Sequence, residues 1–200
     1  MAKVFHAANS AYDIVAIASS AGGLKALGVV LSRIPGGFPG AFIIVQHLAP
    51  GHQSQMAKIL THKTDLTVKE ATDRDLLYAQ TVYFAPPDMH VLVTDEGRIS
   101  LTHTALVNFV RPSADLLFES LAKSYPARVI GVVLTGKGAD GTEGVRAIKQ
   151  SGGKVIAQDE ASADYFGMPS SAIRTGCVDL ILPLTEIPYA IIKLFSGEMV

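Results

Sequence analysis

Strand-length apolar runs alternate with helix-length segments almost from end to end of this chain, and that alternation restricts its fold more than any other feature. Strands are predicted at Ile14–Ala18, Ala41–Val45, Val129–Leu134, Lys154–Ala157 and Val178–Leu182. Most are unbroken runs of Val, Ile, Ala and Leu, the pattern of strands covered on both faces. Helices are predicted near Gly23–Ile34, Gln53–Thr61, Ser113–Tyr125, Thr142–Ser151 and Glu186–Leu194. The expectation is an α/β fold: three layers, with a doubly wound, mostly parallel sheet between helices. The segment "TVYFAPPDMHVLVTDEGRISLTH" departs from the rhythm, with a strand, a Pro-Pro corner and a hairpin turning at Asp95-Glu96-Gly97. A small antiparallel excursion is expected there.

With 200 residues and no repeat or linker, a single domain is expected over 13–200, with 1–12 a leader or linker remnant. The net charge of −1 argues against non-specific nucleic-acid binding. Cys177 is the only cysteine, so no intrachain disulfide can form. No stretch approaches the roughly 18–20 apolar residues of a membrane span, and residues 1–12 lack a secretion signal's apolar core. A cytoplasmic protein without membrane insertion is expected.

In an open parallel sheet, ligands and catalytic groups gather at the carboxyl ends of the strands. After the first strand comes "ASSAGG". Ser20, with Gly22 two residues on, fits a nucleophile elbow, or it simply caps the next helix. After the second comes "VQHLAPGH", where His47 can act as a general base. His52 matches no metal-site spacing with it, so no metal and no cofactor is expected. After the third comes "TGKGADG". Asp140 there caps a helix or orients a histidine through Nδ1. The same loop is a literal G-x-G-x-x-G, Gly136 to Gly141, with Asp159 placed for a ribose, so a nucleotide site is an alternative. Asp140 would repel a pyrophosphate at those amides. Ser20, His47 and Asp140 share one predicted rim in the order Ser, His, Asp, unlike the α/β-hydrolases.

From Asp13 to about Phe195 the chain resembles the catalytic domain of the chemotaxis protein-glutamate methylesterases, the CheB type. The resemblance runs through "IVAIASSAGG", "IIVQHLAPG", "VYFAPPDMHVLV", "RPSADLLFESLA", "GVVLTGKGADGTEGVRAIKQSGG" and "IAQDEASADYFGMP". It implies a Ser-His-Asp triad of Ser20, His47 and Asp140. It implies hydrolysis of glutamyl methyl esters on the cytoplasmic helices of methyl-accepting chemoreceptors, in some members with deamidation of glutamines. Backbone N–H groups of Ala21 and Lys137 would form the oxyanion hole. Arg111 and Met168 would line the pocket rim, or serve as a helix-flanking charge and as core filling. Ala18, Ala21 and Lys137 stand where the family usually has Gly, Thr and Met. Family members commonly carry a receiver domain that covers the site, and residues 1–12 are too short for one. Regulation by a receiver protein in trans and a non-hydrolytic binding module are therefore further readings.

Overall fold

The computed structural model describes residues 10–47 and 55–198. Seven strands form one parallel sheet in the order β3-β4-β2-β1-β7-β8-β9. They are β1 (Ile14–Ser19), β2 (Ala41–Gln46), β3 (Thr67–Glu70), β4 (Thr81–Phe84), β7 (Val129–Val133), β8 (Lys154–Gln158) and β9 (Leu180–Leu182). The antiparallel excursion is the separate hairpin β5 (His90–Val93) with β6 (Ile99–Thr102). The strand "TVYF" before it belongs instead to the parallel sheet, paired with β2 and β3.

Strand side chains alternate between two cores. Ile14, Ala16 and Ala18 face α3 (Ala114–Ser124), α4 (Thr142–Gln150), α5 (Gly167–Ile173) and the hairpin. Val15 and Ile17 face α1 (Gly23–Leu31), α2 (Met56–Thr61) and α6 (Ile187–Ser196). Helices on both faces explain why the central strands read as unbroken apolar runs. Residues 10–12 also pack on this body: Ala11 N–H donates to Phe195 O at 3.1 Å, and the Tyr12 and Phe195 rings lie 6.0 Å apart.

The chain runs from β1 outward through β2 to β4 and β3, then returns to pair β7 on the other side of β1. The order reverses at β1 and β7, so a crevice opens beyond their carboxyl ends.

Candidate active site

Ser20 follows β1 immediately. Its N–H donates to Thr135 O at 3.1 Å, and its carbonyl accepts from Gly23 N–H at 2.9 Å. The turn so closed, Ser20-Ala21-Gly22-Gly23, puts Gly22 at φ 81 and ψ −5. A type II turn requires that left-handed conformation at its third position, which glycine adopts without strain. The following helix, α1, begins at Gly23, where a Cβ would lie 1.9 Å from Gln46 Oε1.

His47 follows β2, with its N–H donating to Ser19 O at 3.1 Å. Asp140 lies in the loop after β7, and its Oδ2 meets His47 Nε2 at 2.8 Å. The sequence reading placed the carboxylate on Nδ1, and the ring is held the other way. β1 lies between β2 and β7, so His47 and Asp140 start about 9–10 Å apart, two interstrand steps. Only the distal ring nitrogen reaches that far. Nδ1 is left as the nitrogen available for a proton from Ser20. Among the described residues no hydrogen bond joins Ser20 Oγ to the ring. Both residues line one open groove of about 1110 Å³, together with Ala21, Leu24, Val29 and Lys63. In enzymes of this kind such bonds often tighten only with substrate present.

Asp140 is almost wholly buried at the N-terminus of α3. Oδ2 also accepts from Ala114 N–H at 2.6 Å, and Oδ1 from Ser113 Oγ at 2.8 Å and Asp115 N–H at 3.3 Å. Burial by itself would raise its pKa. The His47 hydrogen bond, the Ala114 N–H and the Ser113 hydroxyl outweigh it and hold the carboxyl below its usual range. The α3 dipole acts in the same direction.

Asp115, one residue into α3, behaves oppositely. Its oxygens accept from Gly144 N–H at 2.9 Å and Asn108 Nδ2 at 3.1 Å. Burial, opposed by the Gly144 N–H and reinforced by the charges of Asp140 and Glu119, pushes it up to about 6. A folded pKa above the unfolded one means stability present below about pH 4 and lost as pH rises through about 6. The full shift corresponds to about 3 kcal/mol at most. Asp140, held low, works the other way, its contribution fading as pH falls below about 4. Urea unfolding is therefore expected to give a protein more stable at pH 5 than at pH 7.5 by about 1 kcal/mol, the part of the shift that falls between those two pH values. Asp115→Asn should flatten that difference, and equal pH dependence in both proteins would remove Asp115 as its source.

The other expected site residues are placed as follows. No described residue accepts a hydrogen bond from the Ala21 or Lys137 N–H, and the two flank Ser20 from the β1 and β7 loops. Lys137 Nζ lies 4.8 Å from the Tyr165 ring centroid. Met168 is 1% exposed, buried beneath the glycine loop with its N–H on Gly136 O at 2.9 Å. Arg111 clamps loops outside the groove, donating from Nε and Nη2 to Asp88 Oδ1 at 2.9 and 2.7 Å and from Nη1 to Thr104 O at 2.6 Å. Asp159 closes a turn by accepting from Ser162 N–H at 3.0 Å and Oγ at 2.6 Å. His52 lies outside the described residues. Among those described, no three His, Cys, Asp or Glu side chains gather as a metal site.

Four positioning residues escaped the sequence reading. Gln46 Nε2 donates to Ser20 O at 2.8 Å and His47 O at 2.9 Å, tying the two loops, while Oε1 accepts from Ser19 Oγ at 2.7 Å. Gln158 Oε1 accepts from Thr135 N–H at 2.8 Å, and Thr135 Oγ1 donates to Ala21 O at 3.0 Å. Ser113 is the fourth, through its bond to Asp140. A signal existed for the glutamines: each is an amide closing a strand directly after a run of apolar residues, where a buried polar group needs a partner.

One family model, described as CheB methylesterase, matches residues 15–191. A protein-glutamate methylesterase/protein-glutamine glutaminase of Moorella thermoacetica is 41% identical over 189 residues, 92% of this chain and 45% of that one. The protein-glutamate methylesterase FrzG of Myxococcus xanthus is 42% identical, over 91% of this chain and 53% of its own. The chain thus spans about half the length of these relatives. A putative enzyme of the same description from Leptospira interrogans is 36% identical and covered over 97% of its length. The crystal structure of the Thermotoga maritima CheB methylesterase catalytic domain superposes with a TM-score of 0.88 at 38% identity, covering 92% of this chain and 98% of that one. With a family model that matches residues 15–191 and a solved catalytic domain that superposes over 92% of the chain, the chain belongs to the CheB methylesterase family.

Proposed function

We propose that this protein hydrolyses γ-glutamyl methyl esters on the cytoplasmic helices of chemoreceptors, and amides of selected glutamines by the same route. The observation that carries the reading is the His47 Nε2–Asp140 Oδ2 contact of 2.8 Å beside a groove that also holds Ser20. Ser20 Oγ attacks the ester carbonyl carbon while His47 Nδ1 takes its proton. The oxyanion accepts from the Ala21 and Lys137 N–H groups. As the C–OCH₃ bond breaks, His47 returns the proton and methanol leaves. Water, deprotonated by His47, then attacks the acyl-enzyme, releasing glutamate and restoring Ser20. For glutamine the leaving group is ammonia. Asp140, ionised under its four donors, fixes the ring and stabilises the imidazolium. The setting is cytoplasmic, and a receiver protein acting in trans would regulate access.

The test is methanol release from methylated receptor cytoplasmic fragments, with Ser20→Ala as control. Release that persists in the variant would end this reading. Lys137 bears on substrate choice: it sits in the loop that also carries Asp140, with its cation 4.8 Å from the Tyr165 ring centroid. Lys137→Met is expected to change KM for an acidic receptor segment by about 3–10-fold, with kcat within about threefold. A fall in kcat at constant KM would instead place Lys137 in the chemistry.

A further inference from the structure

The segment leading from β6 into α3 ends in a tight turn of unusual composition. Val107 and Val110 exchange both backbone hydrogen bonds, at 3.2 and 3.0 Å. Between them Asn108 and Phe109 both take positive φ, 50 and 65. A two-residue turn of that kind favours Asn or Gly at both positions. Phe109 there holds a strained backbone conformation, and it buries almost nothing in return, being 95% exposed. Leu106 beside it is 54% exposed.

The loop beneath the tip is firmly anchored. Arg111 holds Thr104 O, and the buried His90 donates from Nε2 to Ala105 O at 3.1 Å while its Nδ1 accepts from Ser113 N–H at 3.1 Å. Asn108 Nδ2 reaches Asp115, whose own N–H bonds Asp140. An aromatic ring displayed on a pinned loop has lost most of its freedom before any partner arrives, which favours binding. The anchors also fix its place: through Asn108 and Asp115 the tip is two hydrogen bonds away from Asp140, at the N-terminus of α3.

We propose that Phe109, with Leu106, is a wedge that docks the protein substrate, entering the apolar seam between two helices of the bundle that carries the glutamyl ester. This rests on the esterase reading, and it adds the surface by which a folded protein is held. A single protruding ring fits a hollow better than a flat face, and packed helices offer such hollows between four side chains. Lys63 on the groove suits the acidic face of a glutamate-bearing helix, while Lys25, also on it, is paired with Asp164 at 3.1 Å.

The experiment compares Phe109→Asn with the unaltered protein, each also carrying Ser20→Ala for binding. Asparagine adopts the left-handed turn readily, so Tm should hold or rise. Affinity for a methylated chemoreceptor cytoplasmic fragment is expected to fall about 10–30-fold, while turnover of p-nitrophenyl acetate by the Ser20 forms stays within about twofold. Unchanged affinity overturns the wedge, as does the absence of binding by either protein. An equal loss on the small ester also overturns it, since Phe109 would then be propping Asp140. A change confined to self-association would reassign the tip to a contact between copies. Methanol release separates the two readings: Phe109-dependent binding without release by the Ser20 protein sinks the esterase and leaves the wedge, and release without Phe109-dependent binding does the reverse.

Discussion

Ser20→Ala is expected to lower kcat for methanol release by about 10⁴–10⁶-fold, with His47→Ala added to it lowering the rate little further. The two act as one unit, since a base without a nucleophile has no proton to take. Asp140→Asn is expected to cost about 10⁴, near the low end. Each Asp140 oxygen accepts from two donors, Oδ2 from His47 and Ala114 and Oδ1 from Ser113 and Asp115. An asparagine amide facing either side sets donor against donors. A loss of about 1–3 kcal/mol in stability should accompany the kinetic loss, because buried groups are left unpaired. Steady-state methanol release with labelling of Ser20 by a fluorophosphonate checks the set. Near-normal turnover in Ser20→Ala would move the nucleophile elsewhere, with Ser19 next in line although its hydroxyl is committed to Gln46.

Gly136→Ala is expected to lower kcat by about 10²-fold or more, since a displacement of the order of 1 Å at reacting groups has that effect. A Cβ at Gly136 would lie 2.3 Å from Met168 Sδ and 2.9 Å from Ser20 Cβ. Neither neighbour has room to withdraw. Met168 is buried in the core, and Ser20 is held by Thr135 O and Gln46 Nε2. Overpacking should also lower stability by about 1–3 kcal/mol. Gly138→Ala supplies the contrast. Nothing lies within 4 Å of its Cβ, and its φ of 92 adds only backbone strain. Stability should fall there with a much smaller kinetic effect. Measured kcat and Tm for both variants decide the matter, and activity within about threefold in Gly136→Ala would mean that Ser20 tolerates the displacement.

The central strands were legible because burial on both faces leaves little choice of residue. "IVAIA", "AFIIV" and "VIGVV" can only lie between two apolar layers. The edges were not. β3, Thr67-Val68-Lys69-Glu70, is charged and half-exposed, as an edge that must not recruit other chains should be. α5 starts at Gly167-Met168-Pro169, two poor helix formers around one apolar residue, and forms because Met168 and Ala172 are buried against the sheet. At the site, Ser20, His47 and Asp140 stood out because each lies in the glycine-rich or polar turn that follows an apolar strand.

By itself the sequence determined the central parallel strands and which three side chains lie in the turns beyond their carboxyl ends, because strand period and strand-end position are local properties of the chain. Tertiary structure decided the rest. The width of β1 turned His47 so that Nε2 reaches Asp140. A helix far off in sequence supplied two N–H groups to Asp140, and Gln46 tied two loops across neighbouring strands. It also left Phe109 standing in water. Those outcomes depend on distances between segments, and such distances exist only once the sheet has formed.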